Sequence, residues 1–301
     1  MTDSASTSVS GKNVPHQERV RDVDAEATLG LDPWRPLHEA CDRLHIHKPK
    51  NDLEMQQVSR LWNGRRDVEL RLLGYATQDF EFLRSFPGLE RPVAGCVQLE
   101  SLHLQRQTKD FDELRSLRRL RYLGLSGISL PNLSVLLPFE NLRSLYLGFC
   151  KPLNLDLLER LPELEALHFI KINNLHDLSA LRLARNLRRI ELEWLPHVET
   201  LPDLSELARL EEVEIGTMKS LRDVSSIAKA PALRFLGLWD CKALTPQSFE
   251  CLIAHPTLRR VNFGVGRLKD NNAIAAMFLE QVTQVVYYKI TPGTYLRRPT
   301  P

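Results

Sequence analysis

Apolar residues recur along the middle of this 301-residue chain at a nearly constant interval. The pattern L-x-x-L-x-L, with apolar residues at its first, fourth and sixth positions, occurs eight times between Leu99 and Phe263. Its first positions are Leu99, Leu120, Leu142, Leu164, Leu187, Leu210, Leu233 and Leu258, at spacings of 21 to 25 residues. A repeat of this length predicts a stack of similar units that share one continuous core, because a single unit cannot bury its leucines alone.

Each repeat also predicts a short strand followed by a helical turn. A further apolar residue lies eleven positions after the first leucine of five repeats, at Leu153, Leu175, Val198, Leu221 and Leu244. An aspartate side chain can accept hydrogen bonds from the free N–H groups that open a helical turn. Such aspartates recur as Asp112, Asp156, Asp177, Asp203 and Asp223.

The repeat resembles the short class of leucine-rich repeat, about 22 residues long, of internalin-like and phosphatase-regulator-like proteins. The resemblance covers roughly Leu99 to Gly266. It implies an α/β solenoid with a curved parallel β-sheet on the concave side and short helices or 3-10 turns on the convex side. The family usually has Asn or Cys three residues after the last strand leucine, and here only Cys150 and Cys241 match. We expect the other turns to bond neighbouring carbonyls or water.

Four segments are predicted along the chain. Residues 1–29 are polar and are expected to be disordered, and residues 30–66 have the apolar spacing of a helical N-terminal cap. The solenoid is expected over 67–266, followed by a C-terminal cap and loose tail over 267–301. Within that cap, Asp270 or Asn271 is expected to open a helix over residues 273–280, and residues 282–290 are expected to form a closing strand.

Charge and cysteine content narrow the classes of partner and compartment. The 40 basic and 38 acidic residues are mixed along the chain and leave a formal net charge of +2. Such a balance creates no strong field for nucleic acid or an anionic membrane surface, so we expect neither as a partner. The five cysteines form no CxxC pair, and the N-terminus lacks the features of a secretory signal. We therefore expect a reduced, cytoplasmic protein, with non-classical secretion as the alternative.

The sequence contains no motif that predicts catalysis. The P-loop, G-x-G-x-x-G, H-E-x-x-H and G-x-S-x-G patterns are all absent. Cys41, His45 and His47 have a spacing that zinc ligands can have, but no fourth ligand of similar spacing lies nearby. Cys251 and His255 lie one helical turn apart, as a nucleophile and its base can, without an evident orienting group. We expect no enzyme, no cofactor and no metal site.

The candidate binding surface is the concave face. Side chains alternate along a strand, so positions three, five and seven of each repeat point away from the core. These positions carry an aromatic patch in the early and middle repeats, formed by Tyr122, Tyr146, His168 and Ile170, and a group of carboxylates lies beside it. The candidate residues are Tyr122, Tyr146, His168, Ile170, Arg189, Glu191, Glu193, Glu212, Glu214, Phe235 and Trp239.

Aromatic side chains beside concentrated charge are typical of protein-binding hot spots. Carboxylates on adjacent strands repel one another unless Arg189 or a basic partner offsets them, which favours a protein partner with a basic patch. A solvated sheet face without a partner is the simpler alternative. The predicted function is a protein-interaction module that acts as an adaptor, scaffold or regulator. The alternatives are a secreted host-targeted effector and a toxin-neutralising or enzyme-regulating binder, and a metal-dependent enzyme is the least favoured.

Overall fold

The computed structural model describes residues 20–24, 43–47, 69–73, 100–105, 114–115, 117–128, 133–151, 154–278 and 284–287. These residues contain twelve strands that form one parallel sheet in chain order. The strands are β1 Val20–Asp24, β2 Arg43–His47, β3 Glu69–Leu73, β4 Ser101–Gln105, β5 Tyr122–Ser126, β6 Ser144–Gly148, β7 Ala166–Ile170, β8 Arg189–Glu193, β9 Glu212–Gly216, β10 Phe235–Trp239, β11 Arg260–Gly264 and β12 Gln284–Tyr287.

The core is built from the repeated leucines. Every described residue at the first, fourth and sixth positions of the repeats is buried, as are Leu175, Val198, Leu221 and Leu244 at the second apolar position. Equivalent positions stand side by side, since Leu145 pairs with Leu167 and Leu167 pairs with Ile190. Each large buried side chain stabilises the fold by roughly 1.5–3 kcal/mol before conformational entropy is subtracted. The predicted solenoid and its register are confirmed.

Short 3-10 helices lie on the convex side, where the sequence predicted helical turns. They span Leu133–Leu136, Asp156–Arg160, Ser179–Leu183, Ile227–Lys229 and Pro246–Leu252. They lie in five of the connections between consecutive strands, and the buried face of each one contributes to the same core.

The predicted role of the convex aspartates is confirmed for three of them. Carboxylate oxygens of Asp177, Asp203 and Asp223 accept hydrogen bonds from the N–H two residues later, over 2.7 to 2.9 Å. The prediction was wrong for Asp156, which lies inside a 3-10 helix. Its own N–H donates to Asn154 Oδ1 at 2.7 Å, because Asn154 supplies the acceptor two residues earlier. Asp112 lies outside the described residues.

The turns after the strands use backbone partners, as expected from the scarcity of Asn and Cys there. The N–H of Phe149 donates to the carbonyl of Ile170, and that of Lys171 donates to the carbonyl of Glu193, both over 2.9 Å. The Cys150 thiol donates to Gly148 O at 3.2 Å, and the Cys241 thiol donates to Trp239 O at 3.4 Å. Neighbouring carbonyls therefore accept hydrogen bonds from the turns both in the Cys150 repeat and in the Lys171 repeat, which lacks the family's usual residue.

The sheet begins before the predicted boundary at residue 67. Strand β1 lies in the segment that we expected to be disordered, and β2 lies in the expected helical cap. Both extend the parallel sheet toward β3, and Leu44 and Ile46 alternate with polar residues as in a strand. The other residues of 1–29 and most of the cap segment lie outside the described residues, so the helical cap stays a prediction.

The C-terminal cap contains helix α1, Leu268–Phe278, followed by β12 paired with β11. The strand agrees with the expected closing strand, but the helix begins earlier than the predicted residue 273. Neither Asp270 nor Asn271 precedes the helix, and Asn271 Oδ1 instead accepts a hydrogen bond from Val265 N at 3.0 Å. That hydrogen bond explains why the polar side chain of Asn271 is buried at this position. None of the described helices is both long and apolar enough to span a bilayer.

Replacing Asp223 by Ala should lower the free energy of unfolding by about 0.5–1 kcal/mol at neutral pH. Hydrogen bonds from the hydroxyl and the N–H of Ser225 hold the pKa of Asp223 below its ordinary 3.8. A depressed pKa stabilises the fold above pH 3.8, and that contribution is lost as the pH falls through the depressed value. Urea unfolding at pH 7 and pH 2.5 should therefore show a smaller difference in the free energy of unfolding between the wild type and Asp223→Ala at the lower pH. Asp223→Asn, which keeps an acceptor oxygen, is the matched control.

Candidate functional site

All eleven candidate residues lie on the strands of the concave face, on β5 to β10. The structure brings several of them into contact across adjacent strands. The rings of Tyr146 and His168 meet edge to face, with centroids 4.8 Å apart. His168 Nδ1 lies 3.7 Å from Glu191 Oε2 on the next strand. Phe235 instead packs under the guanidinium of Arg260, 4.1 Å from its ring centroid, and so lies apart from these contacts.

His103 is a member of the aromatic patch that the sequence did not single out. Its ring centroid lies 5.2 Å from that of Tyr146, and its Nε2 and Ser126 Oγ are 3.1 Å apart. The ring lies over Gly124, where an added Cβ would come within 2.1 Å of Nδ1. A histidine beside a glycine in the same column is the signal that could have identified this packing.

Four carboxylates on β8 and β9 form the acidic cluster, and three of them contact the Arg189 guanidinium. The cluster consists of Glu191, Glu193, Glu212 and Glu214. Arg189 Nη2 donates to Glu214 Oε1 at 2.5 Å. Its other contacts are longer, at 3.7 Å from Nη1 to Glu212 Oε2 and 3.7 Å from Nη2 to Glu191 Oε2. With four carboxylates ionised, the cluster carries an excess of negative charge that Arg189 alone does not neutralise.

Burial opposes ionisation inside this cluster. Loss of solvent raises the pKa of Glu193 above its ordinary value. Burial likewise raises the pKa of Glu214, and the neighbouring Arg189 opposes that shift while Glu212 and Glu193 add to it. Glu191 is the most enclosed member, with 5% of its side chain exposed. Concentrated, poorly hydrated carboxylates of this kind attract a cation.

Three side chains of this face converge as metal ligands do. One ligand atom each from His168, Glu191 and Glu193 lies within 4.8 Å of the other two. The sequence placed all three among the partner-binding residues and predicted no metal site. The signal was present in the columns, because position five of two consecutive repeats and position seven of the second hold these residues.

The edge beside the acidic cluster exposes aromatic side chains. Phe149, Lys171 and Trp194 directly follow β6, β7 and β8, and all three have left-handed φ angles between 53° and 56°. The Lys171 ammonium lies 5.3 Å from the Phe149 ring centroid and 5.2 Å from that of Trp194. Phe149 is 53% exposed and Trp194 is 36% exposed. This aromatic edge continues the concave surface past the strand ends.

No protein-family model matches the sequence, and no curated protein does. Among solved structures, an internalin (inlF) from Listeria monocytogenes is 16% identical, with 83% of this chain and 68% of that chain covered and a TM-score of 0.47. Internalin C2 (inlC2) of the same organism is 18% identical, with 69% and 74% covered and a TM-score of 0.36. The plant peptide hormone receptor RGFR1, solved in complex with RGF2, is 13% identical, with 82% and 40% covered and a TM-score of 0.39.

The fold rests on the chain's own geometry, with parallel strands in chain order that each carry the buried residues of the L-x-x-L-x-L pattern. The chain has the leucine-rich-repeat fold. The fold by itself does not specify a function, which has to be argued from the exposed side chains of the site.

The structure argues against the Cys251–His255 pair as a nucleophile and base in this leucine-rich-repeat solenoid. Burial raises the pKa of the Cys251 thiol, whereas a reactive cysteine needs a lowered one. His255 Nε2 lies 3.1 Å from the carbonyl of Ala230. The Cys251 side chain is exposed, and its thiol donates to Ser248 O at 3.5 Å. His45 and His47 lie on β2, and their side chains and Cys41 are outside the described residues.

Proposed function

We propose that this chain is a protein-interaction module that binds a protein partner through its concave face. The observation that carries the proposal is the acidic cluster, in which Glu191, Glu212 and Glu214 contact the guanidinium of Arg189 and Glu193 adds a fourth carboxylate. A lysine or arginine side chain of the partner would supply the missing positive charge. In the cell the module would act as a cytoplasmic adaptor, scaffold or enzyme regulator.

The unfavourable free energy of holding these buried carboxylates in their ionised form supports this proposal. Burial raises the pKa of both Glu193 and Glu214, which shows that their ionised forms are poorly solvated in the free protein. A partner cation that enters the cluster relieves this cost and neutralises the mutual repulsion. Binding energy is therefore available that an exposed surface ion pair would not give.

Aromatic side chains flank the cluster on both sides. Tyr146 packs against His168 before it, and the Trp239 indole lies over Gly216 after it, within 2.1 Å of where a Cβ would stand. Large aromatic side chains held in place by packing lose little entropy on binding and are frequent hot spots. A partner with a basic residue beside an apolar one would complement this surface.

Partner capture from native lysate tests the proposal. The affinity of each captured protein for this chain is then measured by calorimetry. The concave variant Glu212→Lys/Trp239→Ala should lose at least about 2 kcal/mol of binding free energy, about thirtyfold in Kd. Affinity for the wild type should also fall as salt is raised.

The matched control is Glu159→Lys, which makes the same charge reversal at an exposed residue of the convex 3-10 helix Asp156–Arg160. This variant should capture the same partners as the wild type. Equal affinity of a captured partner for the wild type and the concave variant would place binding elsewhere and refute the proposal.

A further inference from the structure

We propose that His168, Glu191 and Glu193 form a binding site for a first-row transition dication of the zinc type. The site goes beyond the interaction function and does not depend on it. It lies on β7 and β8 at the centre of the concave face, where the aromatic patch meets the acidic cluster.

The parallel register brings the three ligands together. His168 and Glu191 are Cα partners on adjacent strands, and Ile170 and Glu193 are the next pair on the same face. Adjacent strands lie about 4.8 Å apart, and residues two apart in a strand lie about 6.6 Å apart. Side chains of the length of His and Glu span these distances, which is why their ligand atoms already lie within 4.8 Å of one another.

A side-chain adjustment separates this arrangement from coordination. A cation about 2.1 Å from each donor, with tetrahedral angles, keeps the donors about 3.4 Å apart. Donors that lie within 4.8 Å of one another therefore have to close by at most about 1.4 Å, which side-chain rotations can supply. Three protein donors leave at least one coordination position open to water or to a donor from a bound molecule.

The donor set selects the class of ion. An imidazole nitrogen with two carboxylates suits Zn²⁺, Fe²⁺ or Mn²⁺, whereas Mg²⁺ and Ca²⁺ favour sites made of oxygen atoms alone. Tyr146 packs edge to face on the His168 ring and restricts its rotation. The imidazole is thus held where it can act as a ligand.

The charge balance of the acidic cluster also favours a cation here. Glu191 Oε2 lies 3.7 Å from both His168 Nδ1 and Arg189 Nη2, so one ligand side chain and the guanidinium already meet at this carboxylate. The four carboxylates of the cluster outnumber that guanidinium, and a dication between Glu191 and Glu193 would add two positive charges beside them.

Apolar groups on either side lower the local dielectric. Glu193 pairs with Ile170 on one side and with Gly216 on the other. Gly216 has no side chain there, and the Trp239 indole covers it. Weak competition from water strengthens the attraction between a dication and two carboxylates.

Isothermal calorimetry with Zn²⁺ tests the site on the isolated full-length protein. The wild type should bind one Zn²⁺ per chain, and His168→Gln and Glu193→Gln should each weaken that binding by at least about tenfold. Glu199→Gln removes the same charge as Glu193→Gln from an exposed residue of the same repeat, outside both the ligand set and the acidic cluster, so it should keep the wild-type affinity. Mg²⁺ in excess should not compete.

A second control addresses other histidines. The rings of His176 and His197 lie 4.9 Å apart in the turns that follow β7 and β8, and both residues are exposed. His197→Gln should therefore leave the Zn²⁺ affinity unchanged. Bound Co²⁺ should give visible absorption bands that disappear in Glu193→Gln.

Several results would overturn the site. One is the absence of saturable Zn²⁺ binding to the wild type. Another is equal weakening by Glu199→Gln and Glu193→Gln, and a third is undiminished binding by His168→Gln. Thermal melting establishes that each variant is folded. If His168→Gln does not fold, the comparison of Glu193→Gln with Glu199→Gln decides. Because no partner protein is involved, failure here leaves the interaction proposal standing, and the reverse also holds.

Discussion

Leu167→Ala should lower the free energy of unfolding by about 2–5 kcal/mol. Leu167 is 1% exposed and lies in the fourth-position column between Leu145 on β6 and Ile190 on β8. Truncation removes buried methyl groups and leaves a cavity that two neighbouring repeats line, and strands held in register cannot collapse freely into it. Urea unfolding followed by circular dichroism measures the change.

The control for this variant is Glu163→Ala, four residues earlier in the chain, where the side chain is exposed. It should change the free energy of unfolding by no more than about 0.5 kcal/mol. Equal stability of Leu167→Ala and the wild type would mean that the fourth position does not face the core. The register of every repeat would then be in doubt, because the same position is buried in each of them.

The backbone could be predicted because one signal recurs in every repeat. A single L-x-x-L-x-L is ambiguous, but eight in register fix the strands, the core side and the columns. The strands β4 to β11 and their burial follow from that register, including the concave position of Glu191 and Trp239. Pattern reasoning failed where no repetition supported it, as at α1, which begins at Leu268 rather than at residue 273.

The contacts within the concave face could not be predicted to the same depth. Columns specify which side chains are neighbours, but rotamers decide which of them meet. From the sequence, Arg189 could have paired with any of the four glutamates of the acidic cluster, and the structure gives its close hydrogen bond to Glu214. His103 was overlooked because its role depends on the space that Gly124 leaves. Likewise, the convergence of His168 with Glu191 and Glu193 requires side chains from two strands to turn toward one point.

Sequence distance along a solenoid also decides how far a perturbation spreads. Each repeat contacts only its neighbours, so stability is a sum of local terms and interface terms. A change in a central repeat, such as Leu167→Ala, weakens the packing of that repeat against both of its neighbours. A change at the terminal cap weakens one end and leaves the middle intact.

Phe278→Ala should therefore cost about 3–5 kcal/mol of stability at the C-terminal end. Phe278 is fully buried at the end of α1, and its ring meets Phe249 edge to face with centroids 6.5 Å apart. Phe249 in turn lies 6.3 Å from the Phe263 ring of β11, so the three rings join the helix to the last leucine-rich repeat. Removing the outer ring opens the end of the core to water.

Hydrogen exchange read by mass spectrometry locates this effect. In Phe278→Ala the amides of α1 and β11 should exchange faster, while those of β5 to β7 should keep their wild-type rates. The control is Lys269→Ala on the exposed face of the same helix, which should change neither set. Faster exchange throughout the sheet would show that the repeats unfold as one unit and that α1 stabilises all of them. Unchanged exchange at β11 would show that α1 does not cover the core, which the burial of Ile274 and Phe278 argues against.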